Sequence, residues 1–238
     1  MTSKLEKYNE LIKSDVEKFI IKFNKITKND PLIEELLHGW RILYSNIMDD
    51  CKVLLVGINP GKGEDIGTRN YEIEPLEKLE YVDDERNKYG LARSVNHIFN
   101  EANKIDLLSK YTMKTNVYYF ATANSNNIYE FIDHLKINYK ELFTEIEQKT
   151  IIWTKLLIEE IAQPKLIIAE GIIAYRYLYD EVFTGIPYQD LSKIGSIVPA
   201  WKKLNDNKIF IGFRRNGFGG INNLDDVISE ISKYLYNL

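Results

Sequence analysis

The sequence predicts an α/β protein: a three-layer α/β/α sandwich around a short, mostly parallel four-stranded sheet, preceded by a helical N-terminal extension. Three observations predict it. Four short apolar runs recur along the chain: "KVLLVG" at 52–57, "VYYFATA" at 117–123, "KLIIAEG" at 165–171 and "KIFIGF" at 208–213. Each has the length of a strand and carries almost no alternating polar residues, the mark of a strand covered on both faces. Helical spacing fills the intervals near 91–105, 138–162 and 171–180, and strands separated by helices imply parallel pairing with helices on both sides. Ahead of them, residues 4–48 read as helix alone.

The elements follow in order. Leu5, Tyr8, Leu11 and Ile12, then Val16, Phe19, Ile20 and Phe23, lie at helical intervals. "KNDP" at 28–31 interrupts them, and Pro31 suits the first turn of a second helix carrying Leu36, Trp40, Leu43 and Ile47. The last helix, 223–236, places Leu224, Val227, Ile228, Ile231 and Leu235 on one face. The 238 residues, 45% of them hydrophobic, make one domain spanning 1–238, with 1–48 as the extension and 49–238 as the core.

Composition removes several function classes. The single cysteine, Cys51, excludes an internal disulfide and any cluster held by several thiolates, and points to a reducing, cytoplasmic setting. His38, His97 and His134 are too scattered for a metal triad, so neither a metal nor a cofactor is expected. No apolar run reaches 18 residues, and the start "MTSKLEKYNELIKSD" is polar, so neither a membrane span nor a signal peptide is expected. A net charge of −4 does not advertise a nucleic-acid binder, but a local basic face is compatible with it.

In parallel sheets, sites form beyond the carboxyl ends of the strands. The first strand runs into "VLLVGINPGKGED", 53–65. A phosphate-binding loop needs four residues between its glycines and a hydroxyl after the lysine. Here Gly57 and Gly61 enclose three, and Gly63 follows Lys62. A dinucleotide fingerprint would open directly into a helix, and Pro60 interrupts it. A plain turn, with two glycines for unusual dihedrals and a stiff proline, accounts for the loop but not for Asn59. An amide at a strand end, stiffened by proline, can hold and orient a water. It is too weak a base to take a full proton. It suffices where the bond breaks largely before water attacks, as at an oxocarbenium-like sugar.

"LLVGINPG" at 54–61 resembles the first motif of the uracil-DNA glycosylase superfamily. It is closest to the mismatch-specific uracil/thymine branch, whose motif reads G-I-N-P-G. The order of "KTNVYYFATANS", "PKLIIAEGIIAYRYL", a strand and a loop before the final helix is also similar, over about residues 50–238. The resemblance implies a monofunctional glycosylase acting on DNA as a monomer. It flips a nucleotide out and cleaves the base–sugar bond with a water held by Asn59, in a catalytic loop shaped by Gly57 and Pro60. The pocket is expected from 57–65, 121–125 and 213–220.

The second loop departs from the family. "FRRNGFGGINN", 213–223, has no His and no Pro where the family usually carries His-Pro-Ser or a similar sequence. Its residues still suit DNA. Arg214 and Arg215 are paired cations for phosphates, Asn216-Gly217 is a turn, and Phe218 is an apolar tip able to fill a base stack. Ile58, Gly61, Asp65, Tyr71, Asn124 and Asn216 are the expected substrate contacts. Asp65 or Glu64 is a possible general base, Tyr71 or Tyr81 a stacking ring, and Asn124 an amide reading a pyrimidine edge. No lysine is placed for a Schiff base, so strand cleavage is not expected. The expected base is uracil or mismatched thymine, or a modified pyrimidine such as phage DNA contains, which would make the protein a defence enzyme. Two alternatives stand beside this: an inactive DNA-binding member of the same fold, and a hydrolase of free nucleosides.

Overall fold

The computed structural model describes residues 3–59, 71–83, 88–123, 125–184, 200–205, 208–215 and 220–238. Its strands are β1 (Gly39–Arg41), β2 (Val53–Gly57), β3 (Tyr71–Glu72), β4 (Thr112–Asn116), β5 (Phe120–Ala121), β6 (Leu166–Ala169), β7 (Ala200–Asn205) and β8 (Lys208–Gly212). Its helices are α1 (Lys4–Tyr8), α2 (Ser14–Ile26), α3 (Pro31–Leu36), α4 (Gly90–Glu101), α5 (Ile105–Tyr111), α6 (Ser125–Asn138), α7 (Lys140–Leu156), α8 (Ile172–Tyr177) and α9 (Leu224–Leu235). The main sheet has the order β4-β2-β6-β8-β7: four parallel strands with β7 added antiparallel at one edge. A second sheet, β3-β1-β5, pairs β1 parallel to β3 and antiparallel to β5. The chain divides into two compact units. One comprises residues 1–43, 59–75 and 116–161; the other comprises 44–58, 76–115 and 162–238.

In the first unit, α1, a π-helical turn (Asn9–Lys13) and α2 follow one another without a break. The wider π turn keeps Tyr8, Ile12 and Val16 four residues apart on the buried face, in line with Phe19, Ile20 and Phe23. Leu5 and Leu11, expected on that face, are exposed instead. The core is aromatic. Trp40 meets Phe19, Phe23 and Phe120 edge-on at 5.9, 5.2 and 6.0 Å, and Tyr119 stacks on Trp153 at 5.7 Å. Pro31 opens α3 as expected, with Asp30 as its N-cap accepting from Leu32 and Ile33 N–H. The helix expected to carry Trp40 stops at Leu36. Residues 36 and 37 and 39–45 are all buried, so an amphipathic helix cannot satisfy them, and Gly39, at φ 122°, turns the chain into β1.

In the second unit, alternate residues of the parallel strands face opposite ways. Val53, Leu55, Leu166, Ile168 and Ile211 pack under α4, α5 and α9, with Val95, Phe99, Leu108, Val227 and Ile231. On the other face Tyr175 of α8 stacks on Phe210 at 4.5 Å, and Phe183 adds a ring at 5.1 Å. Helices thus cover both faces of the sheet. The expected strand at 117–123 is misplaced. The main-sheet strand is β4, "TMKTN", and Phe120–Ala121 belongs to the other sheet. Helix α6 was also not anticipated.

Two predictions follow from this packing. Gly212 has no room for a methyl: a Cβ would sit 2.4 Å from Tyr175 Cδ2 and 2.9 Å from Tyr175 Cβ. Gly212→Ala is expected to cost about 1–3 kcal/mol, read as a lower urea midpoint at unchanged slope. The second concerns Asp30. Burial pushes its carboxyl up, but hydrogen bonds from His134, Ile33 N–H and Tyr139 outweigh burial and hold it at about 2 against the ordinary 3.8. The folded pKa is depressed, so Asp30 contributes stability above pH 3.8 that disappears as pH falls through about 2. Denaturation from pH 5 to 1.5 should show wild type losing about 2 kcal/mol more than Asp30→Asn.

Candidate functional site

The main sheet has one topological switch point. From β2 the chain crosses through α4 and α5 to β4 on one side, while β6 lies on the other. In open α/β sheets crevices form where strand order reverses in this way, outside the carboxyl ends. Here that is between the ends of β2 and β6, at Gly57, Ile58, Glu170 and Gly171. Glu170 N–H donates to Val56 O at 2.8 Å, locking the two ends together. Gly57 is buried and Ile58 half-buried.

Strand β8 ends beside β6, with Ala169 level with Gly212. Arg214 and Arg215 follow, both exposed. Gly171, at φ 136°, lies against the stem of Arg215: a Cβ on Gly171 would meet Arg215 Cδ at 3.6 Å. The expected wedge loop is closed at its base by a bridge between Arg215 and Ile221 and by Asn222 N–H donating to Arg214 O at 2.9 Å. Asn216, Gly217 and Phe218 lie outside the described residues, as do Pro60, Gly61, Asp65 (with Glu64) and Asn124.

Asn59 is half-buried, and its Nδ2 donates to Thr122 Oγ1 at 2.7 Å. Thr122 is fully buried directly after β5. That strand is set by β1: His38 N–H donates to Ala121 O at 2.8 Å and Arg41 N–H to Tyr119 O at 2.7 Å. With Nδ2 engaged, Asn59 presents its carbonyl Oδ1 as an acceptor, the polarity needed to orient a water through one of its protons. Tyr71 opens β3 opposite Trp40 and is 38% exposed, leaving ring surface for a ligand. Gly57, Ile58, Arg214 and Arg215 therefore fall at strand ends of one unit, and Asn59, Tyr71 and Thr122 in the other.

Sequence reasoning missed Thr122, which lies inside "ATANS" two residues before the asparagine that drew attention. It also missed a buried polar cluster beneath the switch point. Lys114, in the middle of β4, donates to Glu170 Oε2 and, at 2.7 Å, to the hydroxyl of Tyr81. It lies 3.4 Å from Glu80 Oε1. Tyr81 donates to Glu170 Oε1 at 2.7 Å, and Tyr89 to Glu80 Oε1 at 2.6 Å. Burial, then the neighbouring carboxylates, push both phenols far above their ordinary range, so both remain donors. Tyr81 is wholly buried and is not a base-stacking ring. The one signal for the cluster was a lysine flanked by Met113 and Thr115 just before an apolar run.

Among the described residues no group of three His, Cys, Asp or Glu could hold a metal, and no helix is long and apolar enough to cross a membrane. The sequence matches no protein-family model and no curated protein.

Breaking a buried ion pair leaves a charge uncompensated. Lys114→Met is expected to cost about 3–5 kcal/mol in urea unfolding, and Lys114→Met/Glu170→Gln to recover part of that loss.

Proposed function

We propose that the chain is a monofunctional DNA N-glycosylase that excises a pyrimidine flipped out of the helix. The observation carrying this reading is the Asn59 amide, tied through Nδ2 to Thr122 so that Oδ1 serves as the acceptor. In the reaction the C1′–N bond breaks with its electron pair going to the base, leaving an oxocarbenium-like sugar. Water held at Asn59 Oδ1 bonds to C1′ through its oxygen. Its surplus proton passes to solvent, and the base leaves with a proton on the nitrogen that held the sugar. The products are an abasic site and a free base, and no lysine adduct is involved. Arg214 and Arg215, exposed at the base of the closed loop, supply phosphate contacts. Tyr71 supplies an aromatic face for stacking. The similarity of "GINPG" to the mismatch-specific branch favours uracil or mispaired thymine. The different second loop favours a pocket that also takes a modified pyrimidine, consistent with a role against phage DNA.

The test compares wild type with Asn59→Ala on DNAs carrying uracil, mispaired thymine, hydroxymethylcytosine or glucosylated cytosine, and on phage genomic DNA. Alkali-labile sites are counted and the released base is weighed. Wild type is expected to release base and Asn59→Ala to be slower by about 10²–10⁴-fold. Tight binding without release would favour an inactive DNA-binding protein. Release from free nucleosides alone would favour a nucleoside hydrolase.

A further inference from the structure

The geometry points to Thr122 as the positioning residue of this chemistry. The inference rests on the glycosylase reading and deepens it. A terminal amide has a donor end and an acceptor end of nearly equal shape, and only one suits the task. If Oδ1 faces the water, it accepts one water proton and leaves an oxygen lone pair for C1′. If Nδ2 faces the water, it donates to one of the oxygen's two lone pairs, which weakens the nucleophile, and offers no acceptor for the water's proton. The choice follows from the far end where its partner acts as the acceptor. Here that partner is Thr122 Oγ1, 2.7 Å from Asn59 Nδ2 on a wholly buried side chain.

Thr122 is itself well fixed. It follows β5, whose Ala121 lies level with Gly39 and accepts from His38 N–H at 2.8 Å. Gly39 adopts φ 122°, a conformation that favours glycine, where the chain makes this approach. The second sheet thus carries a hydroxyl acceptor to Asn59. Thr122 touches no substrate in this account; it acts through Asn59.

Thr122→Val keeps the shape and removes the acceptor, whereas Thr122→Ser keeps the acceptor. On the DNA substrate that wild type cleaves, Thr122→Val is expected to lose about 10–100-fold in single-turnover rate, with substrate Kd unchanged. Thr122→Ser should stay within about 3-fold of wild type. Adding Thr122→Val to Asn59→Ala should cause no further loss, because the two act as a unit. A loss in Thr122→Val that persists undiminished on the Asn59→Ala background would make Thr122 merely structural and overturn the inference. So would a Thr122→Val rate equal to wild type. In both cases base release by wild type still stands. No release by wild type from any DNA overturns the glycosylase reading, and this inference with it.

Discussion

Lys114 is a charge buried in β4, beside the apolar strands β2 and β6, and much of the second unit is arranged to make that tolerable. A buried ammonium without partners is far costlier than any single packing defect, so carboxylates must come to it. Glu170 arrives from the end of β6 and Glu80 from the turn that leads into α4, while Tyr81 bridges to Glu170. A shift of β4 by one residue would bring Met113 or Thr115 to this point and strand all three partners. The cluster therefore adds a polar constraint at β4, a strand of mostly polar residues, to the register that apolar burial sets in β2 and β6. It also holds Glu170, whose N–H ties the end of β6 to β2, so the strand ends at the switch point are anchored by a salt bridge beneath them.

The elements legible in the sequence were those whose burial comes from simple hydrophobic pattern. β2, β6, β8, α4, α7 and α9 fall where apolar runs or helical stripes announce them. β4 was missed for the reason just given: its five buried residues are Thr, Met, Lys, Thr and Asn, and only partners distant in sequence make them a core strand. The apolar run that follows it was read as that strand, although Phe120–Ala121 pairs with β1 in the other sheet. The helix ending at Leu36 shows the converse. Trp40 and Leu43 keep helical spacing, but burial on every side overrides a periodicity that describes one buried face.

The candidate site divides in the same way. Asn59 was picked out because a plain turn accounts for the glycines and proline of its loop but not for the amide, and the structure describes it half-buried and bonded to Thr122. Arg214 and Arg215 were picked out as adjacent cations after a strand, and both are exposed there. Thr122 was not picked out, because a threonine at a strand end is ordinary, and its meaning comes only from the 2.7 Å contact with a residue 63 positions earlier. Tyr81 was misread because an aromatic in a polar segment resembles a binding residue. Its hydroxyl is in fact spent on Glu170 inside the core.

The placement of charge also constrains the chemistry. Glu170 and Glu80, the carboxylates of the buried cluster, are taken up inside the core by Lys114 and by the Tyr81 and Tyr89 hydroxyls. In the proposed reaction the acceptor offered to a water is the neutral amide of Asn59. An amide cannot drive a poor leaving group out by making a hydroxide; it can only steer a water onto a sugar that has already lost most of its base. In the proposed glycosylase reaction the burden therefore falls on the departing base, which must carry the bond's electrons as a stabilised anion. Uracil and thymine do so through two flanking carbonyls. A cytosine derivative needs ring protonation or an electron-withdrawing substituent to leave equally well. The range of bases such a site can release is set as much by leaving-group strength as by pocket shape.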